Sequence, residues 1–362
     1  MVAFDFVRLL VADAGLPEDW GVMRNSGLRV MVTGGAGFIG SELSRQLAAA
    51  SHEVLIVDNL ANGRLENVQD ILSERVCFFE VDIRDDARMR VLLAGTDLVY
   101  HLACLGVRHS IHSPLENHEV NADATLKLLL AARDLHVSRF VYVSTSEVYG
   151  TAKTAPMTEE HPAFPHTVYG ASKLAGECYA RAHHRTYGYE TVMVRPFNAF
   201  GPRCHHEGDS GEVIPKFLLR CMAGRPMIVF GDGTQTRDFS YVADTARGIR
   251  HAGLCDKAVG QTINLGVGRE ITINELAREV AGVVGRPDAE IIHDPPRPGD
   301  VLRLCAETSL ARRLLDYKPK TSLRAGLQEL LSWYRDSGQT VEQLLEQEQS
   351  RNWEAETSHI DE

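Results

Sequence analysis

The stretch that decides the fold is Leu28-Arg-Val-Met-Val-Thr-Gly-Gly-Ala-Gly-Phe-Ile-Gly40, near the beginning of the chain. Its first six residues form an apolar run typical of a buried strand, and the residues after it follow a helical pattern. Three glycines, spaced three residues apart, permit a tight turn, close approach of a pyrophosphate and close helix packing. The helix start also offers free N–H groups to an anion. We therefore predict a dinucleotide site formed by Gly34, Gly37, Phe38, Ile39 and Gly40.

A second apolar run, Glu53–Val57, predicts a strand that ends at Asp58, 18 residues beyond Gly40. A carboxylate in this place binds the ribose hydroxyls of adenosine and repels a 2′-phosphate, which favours NAD over NADP. Further strands are predicted over residues 78–83, 97–103 and 139–144, and their alternation with helices predicts an α/β, Rossmann-like, doubly wound parallel sheet. Because ligands bind at the carboxyl ends of such strands, we also expect cofactor contacts from Asn59, Asp82, Ile83, Leu102 and Ala103.

Tyr169 and Lys173 are four residues apart in a predicted helix and therefore share one face. A lysine ammonium beside a phenol should lower the phenol pKa from its usual value of about 10. Such a tyrosine can take a proton from a sugar hydroxyl while a hydride leaves the same carbon. The strand predicted over 139–144 is followed by hydroxyl and carboxyl side chains, which we expect at the carboxyl edge of the sheet, where ligands bind. The predicted catalytic residues are Ser144, Thr145, Ser146, Glu147, Tyr169 and Lys173.

Together these motifs resemble the extended short-chain dehydrogenase/reductase family of NAD-dependent nucleotide-sugar epimerases, dehydratases and decarboxylases. The resemblance runs from about Arg29 to about Trp333. Thr33–Gly40 matches the family's T-G-x-x-G-x-x-G fingerprint, and Arg195–Arg203 resembles R-x-F-N-x-Y-G-P-R with Phe200 where tyrosine is usual. The segments 231–244 and 297–300 also resemble motifs of this family.

The resemblance implies a shared first step. Tyr169 would deprotonate the C4 hydroxyl of the sugar while a tightly bound, recycled NAD takes the C4 hydride. Ser144 or Thr145 would hydrogen-bond that oxygen, and Lys173 would hold the nicotinamide ribose. The product is a 4-keto sugar, from which the family's reactions diverge to 4-epimerisation, 4,6-dehydration or decarboxylation.

Glu147 bears on the choice between these reactions. The sequence Thr145-Ser-Glu147 resembles uronate decarboxylases and the GDP-mannose type of dehydratase, whereas typical 4-epimerases carry a small residue in place of Glu147. A carboxylate near C5 and C6 can abstract H5 or assist departure of a carboxylate. In contrast, Tyr169-Gly-Ala-Ser-Lys173 follows the epimerase and dehydratase style. Elimination or decarboxylation is therefore slightly favoured, and 4-epimerisation of a hexose or hexuronate remains the alternative.

The resemblance also implies which residues bind the nucleotide-sugar substrate. Guanidinium groups suit phosphate oxygens, so Arg237 and Arg297 are predicted diphosphate ligands, and Asn198 is a further donor. The segment 211–217 resembles the part that packs against the base, and Asp300 would bind the nucleotide ribose. UDP-sugars are the default substrate class, and dTDP, GDP and CDP remain open. The predicted substrate contacts are Arg108, Asn198, Val213, Lys216, Arg237, Arg297 and Asp300.

Composition limits the other functions. The chain has 362 residues, of which 44% are hydrophobic, enough for a large core. A net charge of −11 argues against nucleic-acid binding, and the absence of an 18-residue apolar run argues against a membrane span. The seven cysteines show no C-x-x-C spacing, which indicates reduced thiols and a cytoplasmic enzyme. No metal is expected, since His205-His-Glu207 lacks a complete ligand set.

We divide the chain into an N-terminal extension (1–26), an NAD-binding domain (27–196), a mainly substrate-binding part (197–336) with some strands returning to the sheet, and an acidic tail (337–362). The tail is expected to be a solvated helix that frays. The resemblance further implies a homodimer in which helices near 114–134 and 169–187 form a four-helix bundle. A non-catalytic dinucleotide-binding protein and a ketoreductase that consumes NAD(P)H remain remote alternatives.

Overall fold

A computed structural model describes residues 27–353 and contains a central seven-stranded parallel sheet in the order β11-β6-β5-β4-β1-β2-β3. Three two-stranded pairs, β7 with β10, β8 with β13 and β9 with β12, lie outside it. The strands are β1 Arg29–Thr33, β2 Glu53–Asp58, β3 Val76–Glu80, β4 Leu98–His101, β5 Arg139–Val143, β6 Glu190–Pro196, β7 Ala199–Phe200, β8 Met227–Phe230, β9 Thr236–Arg237, β10 Ser240–Tyr241, β11 Thr262–Leu265, β12 Ile271–Thr272 and β13 Ile291–Asp294.

Helices flank both faces of the sheet and form most of the substrate side. They are α1 Phe38–Ala49, α2 Asp86–Leu93, α3 His109–His112, α4 Pro114–His118, α5 Ala124–Asp134, α6 Val168–Tyr187, α7 Val213–Met222, α8 Val242–Leu254, α9 Ile273–Val284, α10 Ser309–Leu315, α11 Leu323–Arg335 and α12 Val341–Glu346. A π-helical turn, Glu119–Asp123, joins α4 to α5.

The sheet is doubly wound because β1 pairs with β2 on one side and β4 on the other, so that Val30 lies beside both Val54 and Leu98. Successive strand residues point to opposite faces: Met31 packs into one core cluster, and its neighbours Val30 and Val32 pack into the other. The predicted α/β fold is confirmed. The change of winding direction at β1 opens a crevice at the carboxyl ends of β1 and β4, the place where such sheets bind ligands.

Two strands differ from the prediction by more than one residue. The strand expected over 97–103 is β4, Leu98–His101, so that Leu102 and Ala103 follow it. The strand expected over 78–83 is β3, Val76–Glu80, whose last residue pairs with Asp58 at the end of β2. Because β3 ends where its neighbour ends, Asp82 and Ile83 follow the strand and lie beyond its carboxyl end.

A third core lies beneath the substrate side, where buried Phe217 of α7, Leu276 of α9 and Leu330 of α11 pack together. The later part of the chain also reaches the main sheet, because β11 pairs with β6 through Thr262 and Met193. The division of the chain at residues 27, 197 and 337 stays a prediction.

The C-terminal part differs from the expected solvated helix. Leu344 and Leu345 of α12 are buried in the third core, and Asn352 and Trp353 are buried as well. The predicted helix is present, and Glu342 and Glu346 are exposed as expected. The prediction of a solvated tail is wrong for the four buried residues, because the two leucines give α12 an apolar side that packs against α7. The predicted extension 1–26 and the remainder of the tail, 354–362, lie outside the described residues.

A side chain joins the first helix of the sheet to the substrate side. Arg203, which has a positive φ of 70°, donates from Nε to Ser41 Oγ at 3.1 Å and from Nη2 to Glu42 Oε2 at 2.6 Å. Both acceptors belong to α1, while Arg203 follows β7 on the path to α7.

Candidate active site

The glycine turn between β1 and α1 is shaped by close backbone packing. Gly34 has a φ of +68°, and a Cβ built on it would lie 2.7 Å from the Ala103 nitrogen. A Cβ on Gly40 would collide with the Gly34 carbonyl oxygen. Gly37 is the N-cap of α1 and has no capping side chain, so the first N–H groups of this helix are available to an anion. The residues present fit a dinucleotide pyrophosphate.

Asp58, at the end of β2, is buried and supports this turn. Its Oδ2 accepts a hydrogen bond from Ala36 N at 3.0 Å, and its Oδ1 accepts one from Leu60 N at 2.9 Å. Burial raises the pKa of Asp58, although these backbone donors oppose the rise. The backbone N–H of Gly37 also bonds to this carboxylate. Because a carboxylate offers about four acceptor positions, one stays available for the ribose hydroxyls that we predicted.

Asp82 follows β3 and is fixed by neighbouring side chains. Asn59 Nδ2 donates to its Oδ2 at 2.9 Å, and Arg84 Nη2 donates to the same oxygen at 2.7 Å. The bond from Arg84 lowers the pKa of Asp82, so this carboxylate keeps its charge. The cavity beside it is also lined by Ile83, Leu102 and Ala103.

Tyr169 and Lys173 lie on α6 as predicted, but their electrostatics differ from the expectation. Lys173 Nζ donates to the Val143 carbonyl oxygen at 2.7 Å and lies 4.5 Å from the centre of the Tyr142 ring. Burial raises the pKa of Tyr169 well above 10, and the charges of Cys104 and Glu147 act in the same direction, while a hydrogen bond with Thr145 opposes them. Burial also lowers the pKa of Lys173. The expectation that Lys173 lowers the phenol pKa is therefore wrong for the protein alone, because burial dominates.

The hydroxyl groups after β5 face the same cavity as Tyr169. Ser144 Oγ is buried and has no hydrogen-bond partner among the described residues. Thr145 caps the next turn by accepting a hydrogen bond from Glu147 N at 3.2 Å. Ser146 and Glu147 also line the cavity. An unpartnered hydroxyl in the cavity that Tyr169 also lines suits a site that binds a substrate oxygen, since buried hydroxyls otherwise find partners.

A cluster of two arginines and one aspartate lines the substrate side. Arg237 Nη2 donates to Asp300 Oδ1 at 2.8 Å, and Arg297 Nη2 donates to the same oxygen at 2.7 Å. Burial lowers the pKa of Arg237, and Asp300 and Glu147 oppose this effect. Two guanidinium groups share one carboxylate, so the cluster carries a positive excess that suits a diphosphate.

The remaining predicted substrate residues also lie at the cavity. Val213 and Lys216 occupy the first turns of α7, and burial lowers the pKa of Lys216 to about 7. Asn198 Oδ1 is buried without a hydrogen-bond partner among the described residues. Arg108 Nη1 donates to the Ser210 carbonyl oxygen at 3.5 Å. One cavity thus brings together every residue that the sequence predicted for the site, and their individual roles stay predictions.

Several cavity residues were missed. Glu212 lies within the predicted base segment 211–217 but was given no role, and burial raises its pKa to about 7 while His205 and Arg108 oppose the rise. Its position inside that segment was the available signal. Cys104 also lines the cavity and was missed, although it directly follows the predicted cofactor contact Ala103. Glu348, Ser350, Asn352 and Trp353 also line the cavity, and nothing in the sequence marked them, because they lie beyond every recognised motif.

Two other features bear on the chemistry. Within residues 27–353 no three His, Cys, Asp or Glu side chains gather as a metal site. His205 and His206 instead pair with Glu207, each at 3.1 Å. In the same range no helix combines the length and apolar character needed to cross a membrane.

Similar proteins include enzymes with three net reactions. The UDP-glucose 4-epimerase of Mycolicibacterium smegmatis is 36% identical, and 86% of this chain covers all of it. The dTDP-glucose 4,6-dehydratase of Streptomyces niveus is 35% identical, with 86% of this chain and 94% of the relative covered. The UDP-glucuronic acid decarboxylase 1 of Arabidopsis thaliana is 36% identical, with 85% and 70% covered.

Solved structures agree with this picture. The dTDP-glucose 4,6-dehydratase of Streptomyces venezuelae with NAD bound has a TM-score of 0.81 and 34% identity, and covers 85% of this chain and 97% of its own. The UDP-glucuronic acid 4-epimerase of Bacillus cereus, in complex with UDP-glucuronic acid and NAD, has a TM-score of 0.80 and 30% identity, with 86% and 100% covered. A family model described as GDP-mannose 4,6 dehydratase matches residues 31–330. The chain therefore belongs to the extended short-chain dehydrogenase/reductase family of NAD-dependent nucleotide-sugar epimerases, dehydratases and decarboxylases.

Proposed function

We propose that this enzyme oxidises a UDP-sugar at C4 to an enzyme-bound 4-keto sugar and then eliminates or decarboxylates at C5 and C6. The observation that carries the proposal is that Glu147 lines the same cavity as Tyr169 and lies close enough for its charge to raise the pKa of that phenol. The charge of the same carboxylate also raises the pKa of Arg237, one of the two arginines that share Asp300. Its electrostatic effect on both the phenol and the arginine supports a role at the sugar.

Tyr169 is the proposed base for the C4 hydroxyl, and Ser144 is the proposed donor to its oxygen. When bound, NAD supplies the hydride acceptor and a positive charge beside the phenol. A nearby positive charge favours the phenolate, which the buried phenol requires because its own pKa is high. Lys173, which is fixed on the Val143 carbonyl oxygen, would hold the nicotinamide ribose.

Two carboxyl groups are available for the second step. Glu147 would take the C5 proton of the keto sugar. Burial raises the pKa of Glu212 to about 7, which suits a group that both gives and takes protons near neutral pH. Glu212 would protonate the departing C6 oxygen as water. Return of the hydride to C6, with return of the proton from Glu147 to C5, would then complete a net loss of water with NAD regenerated. For a hexuronate, departure of the carboxylate as carbon dioxide leaves an enolate, whose oxygen Ser144 would stabilise. Protonation at C5 and return of the hydride to C4 would then complete a net loss of carbon dioxide with NAD regenerated.

4-Epimerisation is the second candidate, because Gly170, Ala171 and Ser172 between the catalytic pair follow the epimerase and dehydratase style. In this case the keto sugar would turn within the cavity and receive the hydride on the opposite face. The Mycolicibacterium relative with this printed activity is as similar to the chain as the Arabidopsis decarboxylase, at 36% identity.

The experiment is product analysis with UDP-glucose, UDP-glucuronate and UDP-N-acetylglucosamine. We expect the product mass to show loss of one water or of one carbon dioxide. In Glu147→Gln we expect the rate of this loss to fall by about 10²–10⁴-fold. Glu160→Gln, a carboxyl that does not line the cavity, is the matched control. A product of unchanged mass, with an altered NMR spectrum and full activity in Glu147→Gln, would establish epimerisation instead.

We also propose a cytoplasmic homodimer. Leu115 of α4 is 80% exposed, and Val168, at the start of α6, is also exposed. Leu126 and Leu130 of α5 are half-buried, whereas Leu129 is buried within its own subunit and cannot serve the bundle. All seven cysteines are free, as suits a reducing compartment.

Sedimentation tests the homodimer. We expect a dimer for the wild type and a monomer for Leu115→Lys. Leu302→Lys, at another exposed leucine, is the control and should remain a dimer. A wild-type monomer would disprove the bundle.

A further inference from the structure

The segment Gln347–Trp353, here called the C-terminal segment, lies along helix α7. Arg220 of α7 donates from Nε to Glu348 Oε1 at 2.8 Å and from Nη2 to Ser350 Oγ at 3.0 Å. The Glu348 side chain is only 6% exposed, so this ion pair is shielded from water. Charge-assisted hydrogen bonds of this kind fix geometry, and the segment is therefore held in place.

Two further bonds join the segment to the residues expected to surround the nucleobase. Lys216 Nζ donates to the Gln349 carbonyl oxygen at 2.6 Å, and Asn352 Nδ2 donates to the Gly211 carbonyl oxygen at 2.9 Å. Lys216 and Gly211 bracket the start of α7, which carries the predicted base contacts. The segment thus contacts the nucleobase region from outside the family's own motifs.

The end of the segment adds an aromatic ring. Trp353 packs edge-on against Phe230 of β8, with ring centres 4.7 Å apart and planes at 83°. Trp353 is buried, and both rings line the cavity. Aromatic rings in a pocket offer a stacking surface to a planar ligand group.

The C-terminal segment lies beyond the residues that the family model matches. The family model ends at residue 330, and 86% of the chain already covers the whole Mycolicibacterium relative. The C-terminal segment begins only at Gln347, after helix α12, and its residues still line the ligand cavity.

We propose that the C-terminal segment forms one wall of the nucleobase subsite and makes that subsite selective for a pyrimidine base over a purine. The inference rests on the proposed function, because it assumes a nucleoside diphosphate in this cavity. Trp353 and Phe230 supply the stacking surface. Since Glu348 and Asn352 are buried and held by their own partners, the wall does not yield to a base with a second ring, and such a base has to break these contacts.

The test compares UDP and GDP binding by calorimetry in three chains: the full chain, a chain that ends at Glu346, and Trp353→Ala. We expect the full chain to bind UDP at least about 10-fold more tightly than GDP, and Trp353→Ala to weaken UDP binding by about 10-fold through the lost stacking. The chain ending at Glu346 should bind both nucleotides with similar, weaker affinity.

A chain that ends at Trp353 keeps the wall and should bind as the full chain does. Phe164→Ala removes an exposed ring that does not line the cavity and should leave UDP binding unchanged. Melting temperatures establish that each variant folds. If the chain ending at Glu346 does not fold, Trp353→Ala decides alone. Equal UDP and GDP affinities in the full chain, or an unchanged ratio in Trp353→Ala, overturn the inference.

Failure of the wall and failure of the proposed function give different results. A full chain that converts a UDP-sugar but keeps its UDP-to-GDP ratio without Trp353 refutes the wall alone. A full chain that selects UDP through the segment but converts no nucleotide sugar refutes the proposed reaction alone. A chain that binds NAD but neither nucleotide refutes both.

Discussion

The two sides of the cavity are built differently. On the dinucleotide side, backbone groups define the surface: Gly34 and Gly40 allow close approach, and Asp58 accepts hydrogen bonds from the turn itself. On the substrate side, long side chains from distant parts of the chain meet, as when Arg237 and Arg297 share Asp300. A backbone surface tolerates few changes, whereas a side-chain surface can be rebuilt without a change of fold. This difference explains how one cofactor site serves enzymes with several substrates.

Tyr169 lies where the two sides meet, and its removal should have the largest effect. We expect Tyr169→Phe to lower turnover by about 10²–10⁴-fold, since the proposed general base is lost, while NAD binding is retained. Tyr187→Phe, on the exposed end of the same helix, is the control and should keep full activity. Steady-state kinetics and NAD titration give the two readouts. Normal turnover in Tyr169→Phe would remove the proposed base.

Gly34→Ala breaks the backbone side of the comparison. The new Cβ would meet Ala103 in a left-handed backbone conformation, so we expect a loss of about 2–5 kcal/mol of unfolding free energy and a loss of NAD affinity. Gly188→Ala is a matched control, with φ +65° but no atom within 4 Å of the new Cβ. It should lose stability only, as measured by denaturant unfolding and NAD titration. Equal NAD affinity in both variants would contradict the close-approach explanation.

Arg237→Ala tests the side-chain side. We expect the KM for the nucleotide sugar to rise by about 10–100-fold, because a charge-assisted contact to phosphate is lost, with stability and NAD binding little changed. Arg303→Ala, which removes an exposed guanidinium paired with Glu270, should leave KM unchanged. If Arg237→Ala instead loses NAD affinity, the separation between the two sides is wrong.

Glu212 should produce the smallest effect, on stability as a function of pH. Burial raises its pKa from 4.5 to about 7, so the folded protein binds more protons than the unfolded chain between these values. The stabilising contribution of the protonated group is therefore complete below about pH 4.5 and lost as the pH rises towards 7. We expect Glu212→Gln to be more stable than the wild type near pH 7, by on the order of 1 kcal/mol. Urea unfolding at pH 5 and 8 measures this, and equal pH slopes for both proteins would contradict it.

The sequence was informative wherever a short segment determines a structure. The spacing of Gly34, Gly37 and Gly40 and the acid at 58 predicted the turn and the second strand, because both arise from neighbouring residues. Tyr169 and Lys173 were placed together on one helix for the same reason, and their catalytic role stays a prediction. The electrostatics of that pair could not be predicted in this way, because the pKa of Tyr169 depends on burial by residues far along the chain.

The substrate side could be predicted only through motifs. Arg237 and Arg297 were found because they stand in recognisable segments, but their shared carboxylate bond depends on the tertiary fold. Glu212 and Trp353 were missed because their importance comes from where the chain folds back. Acidic residues after Ser337 suggested solvent exposure, yet Leu344 and Leu345 outweighed them by packing against α7.

The bonds from Arg203 to Ser41 and Glu42 have an energetic consequence for the two ligands. Any shift of helix α1 on dinucleotide binding must either carry the loop before α7 with it or break these hydrogen bonds. Such a shift would link the two binding equilibria, and linkage is reciprocal: the factor by which the dinucleotide changed nucleotide affinity would equal the factor by which the nucleotide changed dinucleotide affinity. Arg203 is the residue through which this cooperativity would act.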